Sequence, residues 1–199
     1  MKKFTNTLLC AVAASFISSS AVAGSKLEFL IEEGDPLLLL QDGKKATYEI
    51  DYSKLMITDG KDESDFQAWM IDNEELDKWE ENQKKWDKAF RENFNDEVKK
   101  GIRLSAGGKD LHLILHLDLV DFGAPVKYTF GKGLQGGEAE ANGSLELKDK
   151  ATNETLLVLK FTNLKGEDSF KKMGRIAGLF ENLGEELSKY LKKYKKQKK

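Results

Sequence analysis

The chain has 199 residues, of which 33% are charged and 40% are hydrophobic, so its composition is that of a folded globular protein rather than a disordered one. Its 32 basic and 34 acidic residues give a net charge of −2, which argues against a protein that binds nucleic acid with its whole surface. One cysteine and two histidines leave few groups for metal or nucleophilic chemistry.

The first 23 residues have the features of a cleaved secretory signal peptide. Two lysines precede a short apolar run, LLCAVAASFI, and Ala21-Val22-Ala23 matches the small-x-small cleavage pattern. The apolar run is shorter than the ~20 residues that span a bilayer, which favours a signal peptide over a membrane anchor. Cys10 follows two leucines inside this run, unlike a lipidation signal. We therefore predict an exported protein, periplasmic or secreted, that begins near Gly24.

Charge is unevenly distributed along the remaining chain. Residues 24–188 carry 23 basic and 34 acidic groups, whereas residues 189–199 (KYLKKYKKQKK) hold seven lysines and no acid. We predict a single domain over 24–188 followed by a basic tail over 189–199. Peripheral contact with an anionic membrane is one role for the tail, and a frayed helix end that suits the helix dipole is the other. The candidate surface residues are Lys192, Lys193, Tyr194, Lys195 and Lys196.

The first half of the domain predicts short strands followed by helices. Residues 27–31 form one strand, and apolar residues alternate from Ala46 to Tyr52, with a bulge expected near Ser53 where the alternation shifts. Asp72, three residues before Glu75, predicts the start of a long helix that ends before Gly101. Its predicted core face contains Leu76, Trp79, Trp86, Phe90, Phe94 and Val98.

The second half predicts a long strand, a loop, a hairpin and a closing helix. Leucines occupy every second position from Leu111 to Leu119, and residues 145–149 and 155–162 form the hairpin. The predicted core face of the last helix contains Met173, Ile176, Ala177, Phe180, Leu183, Leu187, Leu191 and Tyr194. This order predicts an α+β two-layer sandwich, with a mainly antiparallel sheet of about five to six strands and two long helices on one face.

The two histidines and a glycine-rich motif are the candidate ligand sites of the sequence. His112 and His116 lie four apart on one strand, ~13 Å from each other, so they cannot share a metal ion. We expect a solvated or pairing strand face there. Gly131 to Gly136 matches G-x-G-x-x-G by letter, but no βαβ pattern surrounds it. We therefore predict no metal, no cofactor and no catalytic residue, and the absence of a catalytic motif favours a protein that is not an enzyme.

A loop from Gly123 to Gly143 with six glycines is the candidate partner-binding element. Its candidate contact residues are Lys127, Tyr128, Lys132, Leu134 and Gln135. Trp69, outside the aromatic helix, is the candidate for an exposed glycan platform, while Trp79 and Trp86 are expected in the core.

Four segments carry a resemblance in pattern. These are FNDEVKKGIRLS, KDLHLILHLDLVDFG, GSLELKDKATNETLLVLKF and ENLGEELSKYLKK. Their order over roughly 46–193 resembles small exported α/β envelope domains, including uncharacterised secreted proteins of Bacteroides-like bacteria. More distantly it is similar to the curli-secretion lipoprotein, the lipoprotein activators of penicillin-binding proteins and the N-terminal domain of TolB. The resemblance implies a non-catalytic assembly or binding module and carries over no functional residue.

Together these observations predict a non-catalytic exported accessory or binding module of the bacterial cell envelope that engages another envelope protein. The alternative is a periplasmic small-ligand or glycan-binding protein that uses Trp69 and the 123–143 loop. A hydrolase whose catalytic residues are scattered in sequence is a third possibility.

Overall fold

A computed structural model describes residues 26–59, 62–123, 127–129, 133–135, 138–166 and 171–199, so the predicted signal peptide lies outside the described residues. The strands are β1 (Glu28–Gly34), β2 (Lys45–Asp51), β3 (Met56–Asp59), β4 (Asp62–Asp65), β5 (Arg103–Leu104), β6 (Leu111–Asp121), β7 (Lys127–Thr129), β8 (Gly133–Gln135), β9 (Glu140–Asp149) and β10 (Thr155–Lys165). The helices are α1 (Phe66–Asp72), α2 (Trp79–Glu97) and α3 (Lys172–Gln197), and short 3-10 helices cover Pro36–Leu40 and Leu76–Lys78.

The sheet has the order β1-β10-β9-β6-β2-β5, with β3 beside β6 and β4 beside β3. Strands β1, β10, β9 and β6 are antiparallel neighbours, whereas β2 and β3 run parallel to β6 and β5 runs parallel to β2. The predicted α+β fold is therefore confirmed. The sheet is mixed and has eight strands rather than five to six, because the short strands β3, β4 and β5 join its edge.

Helices α2 and α3 pack side by side on one face of the sheet. The ring of Phe90 in α2 meets Tyr48 of β2, and the ring of Tyr190 in α3 lies 4.8 Å from Phe29 of β1. Both sheet residues point to the same side as the buried leucines of β6, β9 and β10. The inward-facing residues of the central strands include Leu113, Leu115, Leu145, Leu147, Leu157, Leu159 and Phe161, all buried.

An aromatic cluster joins the helices to the sheet. Trp86 contacts the rings of Tyr52, Phe66 and Phe180, and its indole N–H donates to the Met173 carbonyl at 3.3 Å. This confirms the predicted core position of Trp86. Trp69 is only 4% exposed, because its ring packs 4.8 Å from that of Phe122, so the expectation that it forms an exposed platform is wrong.

Helix α2 begins at Trp79, seven residues after the predicted start. Asp72 instead ends α1, and Glu74 turns the chain with a φ of 56° before the 3-10 helix. Leu76 therefore belongs to the 3-10 helix and is 46% exposed, contrary to its predicted place in the core. The real α1 cap is Asp65, whose carboxylate accepts from the N–H groups of Gln67 and Ala68.

The long strand β6 keeps its alternation only as far as Leu117. A register shift against β9 between Leu117 and Leu119 reverses the facing, so Val120 is fully buried, and Leu119 is partly exposed. The bulge that the sequence predicts near Ser53 does not occur. The chain leaves the sheet at Tyr52 and re-enters it as β3, because β2 and β3 pair with successive parts of β6.

The predicted 123–143 loop contains two short strands and the start of a third. Strands β7 and β8 pair as a separate two-stranded sheet, and β9 begins at Glu140. Lys132 lies outside the described residues, and of Lys127, Tyr128, Leu134 and Gln135 only the backbone is described. The hairpin of residues 145–149 and 155–162 is confirmed as β9–β10, and Asn153 in its turn has a φ of 60°.

Helix α3 continues without a break through the predicted boundary at 188 and into the basic tail. Leu191 is fully buried, and Tyr190 and Tyr194 stack with their centroids 5.9 Å apart. The first two turns of the tail are thus packed helix rather than a free extension. Among the described residues no helix is long and apolar enough to cross a membrane.

Candidate functional site

The face of the sheet opposite the helices carries interlocked polar side chains, and we call it the open face. Cross-strand register places its outward side chains in three rows. The first row contains Asp51, His116, Ser144 and Lys160, the second Glu49, Ile114, Glu146 and Val158, and the third Thr47, His112, Lys148 and Thr155. Successive side chains of a strand point to opposite faces of the sheet, so the residues between the inward-facing leucines point outward and form these rows.

His116 lies between two carboxylates on the open face. Its Nδ1 is 3.0 Å from Oδ2 of Asp51 on β2, and its Nε2 is 3.1 Å from Oε2 of Glu146 on β9. An imidazolium can donate from both nitrogens at once, and it then complements both carboxylates. Because both ring nitrogens are engaged, neither is placed to activate the neighbouring Ser144 as a nucleophile.

Glu146 is the junction of the open-face network. Its Oε1 accepts from the Thr155 hydroxyl at 2.7 Å and lies 3.3 Å from Nζ of Lys148, while Oε2 faces His116. Burial by itself raises the pKa of the Glu146 carboxyl, but the hydrogen bonds from Thr155, His116 and Lys148 outweigh it and lower that pKa. The carboxylate is therefore fixed in its ionised form at neutral pH.

Asp51 is held from two directions. Hydrogen bonds from the side chain and backbone N–H of Ser53 lower the pKa of the Asp51 carboxyl, and the bond from His116 adds to them. The backbone bond, 2.9 Å long, forms where the chain turns out of β2. The turn that interrupts the strand thus also orients the acid that faces His116.

His112 has its own partners and is separate from His116. Its Nδ1 lies 2.9 Å from the Thr47 hydroxyl, and its Nε2 lies 3.5 Å from the Glu49 carboxylate. Both histidines therefore pair with neighbouring strands, as the pairing-face interpretation predicts. Within the described ranges no group of three or more His, Cys, Asp or Glu side chains could hold a metal ion.

A shallow cleft of about 300 Å³ opens beside His116. Its lining contains Asp51, Lys54, His116, Leu117, Asp118, Ser144 and Lys160. Desolvation raises the pKa of the Asp118 carboxyl even though His116 and Lys160 attract its charged form. The cleft holds cationic and anionic groups side by side, which suits a mixed-charge protein surface better than a ligand of one charge sign.

Apart from this shallow cleft, the open face is a surface of mutually bonded side chains. Ile114 is only 6% exposed, and its register neighbours on the two adjacent strands are Glu49 and Glu146. At the edge of the sheet, Leu30 of β1 is 62% exposed opposite Lys160 in register. An ordered polar surface with an apolar residue at its rim can dock another macromolecule at little cost in side-chain entropy.

A second cleft, of about 630 Å³, lies between α1, α2 and the start of α3. Its lining includes Trp69, Asn73, Lys78, Asn82 and Trp86. The amide nitrogen of Asn82 is buried and has no hydrogen-bond partner within the described part of the chain. An amide donor beside indole rings is the kind of group that binds a polar ligand with a flat apolar face.

Sequence reasoning found His112 and His116 but missed their acidic partners. The missed partners are Glu49, Asp51 and Glu146, which lie between 30 and 65 residues from their histidines along the chain. The parallel pairing of β2 with β6 was needed to find Glu49 and Asp51, and the antiparallel pairing of β6 with β9 was needed to find Glu146. Local alternation carries no signal for either pairing.

No protein-family model and no curated protein matches the chain. Among solved structures, it is similar to the PelC dodecamer from Paraburkholderia phytofirmans, in a leucine-to-methionine variant with 12% identity and a TM-score of 0.40, covering 82% of this chain and 98% of that one. A second crystal form of the PelC dodecamer matches with 11% identity and a TM-score of 0.39 over the same shares. A likeness at this level carries nothing about function over to this chain.

Proposed function

We propose that this chain is a non-catalytic exported module of the bacterial cell envelope that binds another envelope protein through the open face of its sheet. The observation that supports the proposal is the His116 imidazole held between the Asp51 and Glu146 carboxylates, on a face that no described helix covers. Such a surface is ordered before its partner arrives, so binding costs little side-chain entropy. Export rests on the signal-peptide pattern of residues 1–23.

The chemistry of the open face also indicates what kind of partner would fit. Carboxylates of Glu49 and Asp51 lie at one side, while Lys160 and the exposed Leu30 lie at the other. A protein surface that presents basic groups, a small polar centre and an apolar residue in that order would complement it. A free metal ion or a small anion would complement only one part of this surface.

Site-specific photocrosslinking in the envelope tests the proposal. A photoreactive residue at position 49, on the open face, is compared with one at position 81, on the exposed surface of α2. The proposal expects a discrete crosslinked protein from position 49 only, and its yield should fall at least ~10-fold in Lys160→Glu and Leu30→Ser variants. Equal products from both positions, or a yield unchanged in those variants, would contradict it.

A small-ligand function is the second candidate. It is supported by the Asn82 amide nitrogen in the cleft beside Trp69 and Trp86, which has no hydrogen-bond partner among the described residues. Titration of a glycan panel against tryptophan fluorescence tests it, with Asn82→Ala as the site variant and Asn93→Ala as a matched control on the same helix. A saturable shift that Asn82→Ala abolishes supports ligand binding. A response that is absent, or equal in both variants, removes this candidate.

A further inference from the structure

A pocket on the helical side of the molecule joins two lysine pairs that are distant in sequence. It measures about 310 Å³, and its lining contains Leu40, Glu97, Val98, Lys99, Lys100, Ser188, Lys192 and Lys195. Lys99 and Lys100 follow the end of α2, whereas Lys192 and Lys195 lie on successive turns of α3 beyond Ser188. From the sequence, Lys192 and Lys195 are expected to belong to a tail. The fold places Lys99 and Lys100 beside them.

The floor of the pocket is apolar. Val98 is 2% exposed, and Leu40 is half-buried beside it. Ser188 offers no free donor, because its hydroxyl already donates to the Glu97 carbonyl at 2.9 Å. A ligand group that reaches the floor would therefore meet hydrocarbon rather than hydrogen-bonding groups.

The rim of the pocket is basic and its charge is not neutralised. Lys99, Lys100, Lys192 and Lys195 are all exposed, and none forms an ion pair within the described residues. Other lysines nearby do pair: Lys189 of α3 contacts Glu185 and Glu186, and Lys198, just after α3, lies 3.6 Å from Asp35. Glu97 is the one carboxylate of the lining, so the rim keeps an excess of positive charge.

We infer that this pocket binds an anionic membrane lipid, with the acidic headgroup among the four lysines and the upper part of an acyl chain over Val98 and Leu40. A volume near 300 Å³ is at the small end of ligand sites, which suits a single chain better than a bulky ligand. Four lysines around an apolar floor complement an amphiphile, whose anionic headgroup and acyl chain are joined, better than they complement a free polar anion. The site is on the helical side, so it is independent of partner binding at the open face.

Cosedimentation of the chain without residues 1–23 with vesicles tests the inference. Phosphatidylglycerol vesicles are compared with phosphatidylcholine vesicles. Lys192→Gln/Lys195→Gln is compared with the matched control Lys193→Gln/Lys196→Gln, which removes the same charge from the same helix outside the pocket. At about 1 kcal/mol per lysine, we expect the pocket pair to weaken binding ~30-fold. The control pair should weaken it less than ~5-fold, and phosphatidylcholine should not bind. Unfolding curves confirm that both variants are folded.

A soluble probe tests the apolar floor separately. Monomeric dodecyl phosphate should shift the methyl resonances of Val98 and Leu40 in a saturable way, and inorganic phosphate should not. Equal loss of vesicle binding in both double variants, or vesicle binding without any methyl shift from dodecyl phosphate, would overturn the inference in favour of diffuse charge attraction by the tail. No binding to phosphatidylglycerol would also overturn it.

Discussion

The imidazole Nδ1 of His116 lies 3.0 Å from the Asp51 carboxylate across two parallel strands, although 65 residues separate the two side chains along the chain. The contact ties β2 to β6 on the face opposite the core. It therefore reports whether the parallel part of the sheet is formed, while the opposite contact to Glu146 reports the antiparallel part. Substitutions at His116 and its two acidic partners can therefore be used to measure both stability and partner binding.

Acid should destabilise the protein partly through Asp51 and Glu146. Both carboxyls have folded-state pKa values below their ordinary ones, so their contribution is present above the ordinary pKa and is lost as the pH falls through the folded pKa. We expect the free energy of unfolding to fall from about pH 5 downward. Urea unfolding across pH 3 to 7 measures this, and Glu146→Gln should flatten the dependence. Parallel curves for wild type and Glu146→Gln would contradict the assignment.

Asp118 should behave in the opposite sense. Desolvation raises the pKa of its carboxyl in the folded protein, so its ionisation disfavours the folded state at neutral pH. Asp118→Asn should therefore be at least as stable as wild type at pH 7, and any gain should disappear as the pH falls through the raised pKa. A variant that is clearly less stable at pH 7 would contradict this prediction, because it would show that the ionised Asp118 carboxylate stabilises the folded state.

Asn95 connects the end of α2 to the short strand β5. Its amide nitrogen donates to the Leu104 carbonyl at 2.9 Å, and its amide oxygen accepts from the Leu104 N–H at 2.8 Å, so the side chain acts as a strand partner. Asn95→Ala leaves both buried backbone groups unpaired and should cost about 2 kcal/mol of unfolding free energy. Asn93→Ala, which removes one bond to the Ala89 carbonyl within the helix, is the control and should cost less. Equal costs would argue against the strand-like role of Asn95.

Trp86 should be the most costly single truncation in the aromatic cluster. It is 2% exposed, contacts rings from the sheet side and from α3, and donates its indole N–H to Met173. Trp86→Ala should lower the unfolding free energy by about 3–5 kcal/mol, and Trp86→Phe should lower it by less. Chemical denaturation measures both. A loss below about 1 kcal/mol in Trp86→Ala would mean that the cluster repacks around the gap.

The predictable parts of the fold are those with long, regular patterns. The leucine alternation of β6, the β9–β10 hairpin and the apolar stripe of α3 each repeat over many residues, so local periodicity is enough to assign them. The start of α2 was misplaced because Asp72 and Glu75 have the right types for a cap, while the positive φ of Glu74 ends α1 there instead. Trp69 was misplaced because its burial depends on Phe122, 53 residues away, whose position no local pattern reveals.

Only the histidines of the candidate site could be predicted from the sequence. His112 and His116 stood out as the only histidines, on the polar face of an alternating strand. Glu49 and Asp51 reach the histidines because β2 runs parallel to β6, and Glu146 reaches His116 because β9 runs antiparallel to β6. The alternation of a single strand does not show which strands become its neighbours. The lysine-rimmed pocket was missed for the same reason, since Lys99 and Lys192 meet only when α2 and α3 pack together.

The parallel β2–β6 pairing has a consequence for how the chain assembles. Strands β9 and β10 are joined by a short turn, so they can find each other at little loop-closure cost, whereas β2 must close a loop that contains α1 and α2 before it pairs with β6. We therefore expect β6, β9 and β10 to collapse first and β2 to dock late. His116 would then meet Glu146 early in folding and Asp51 only near its end.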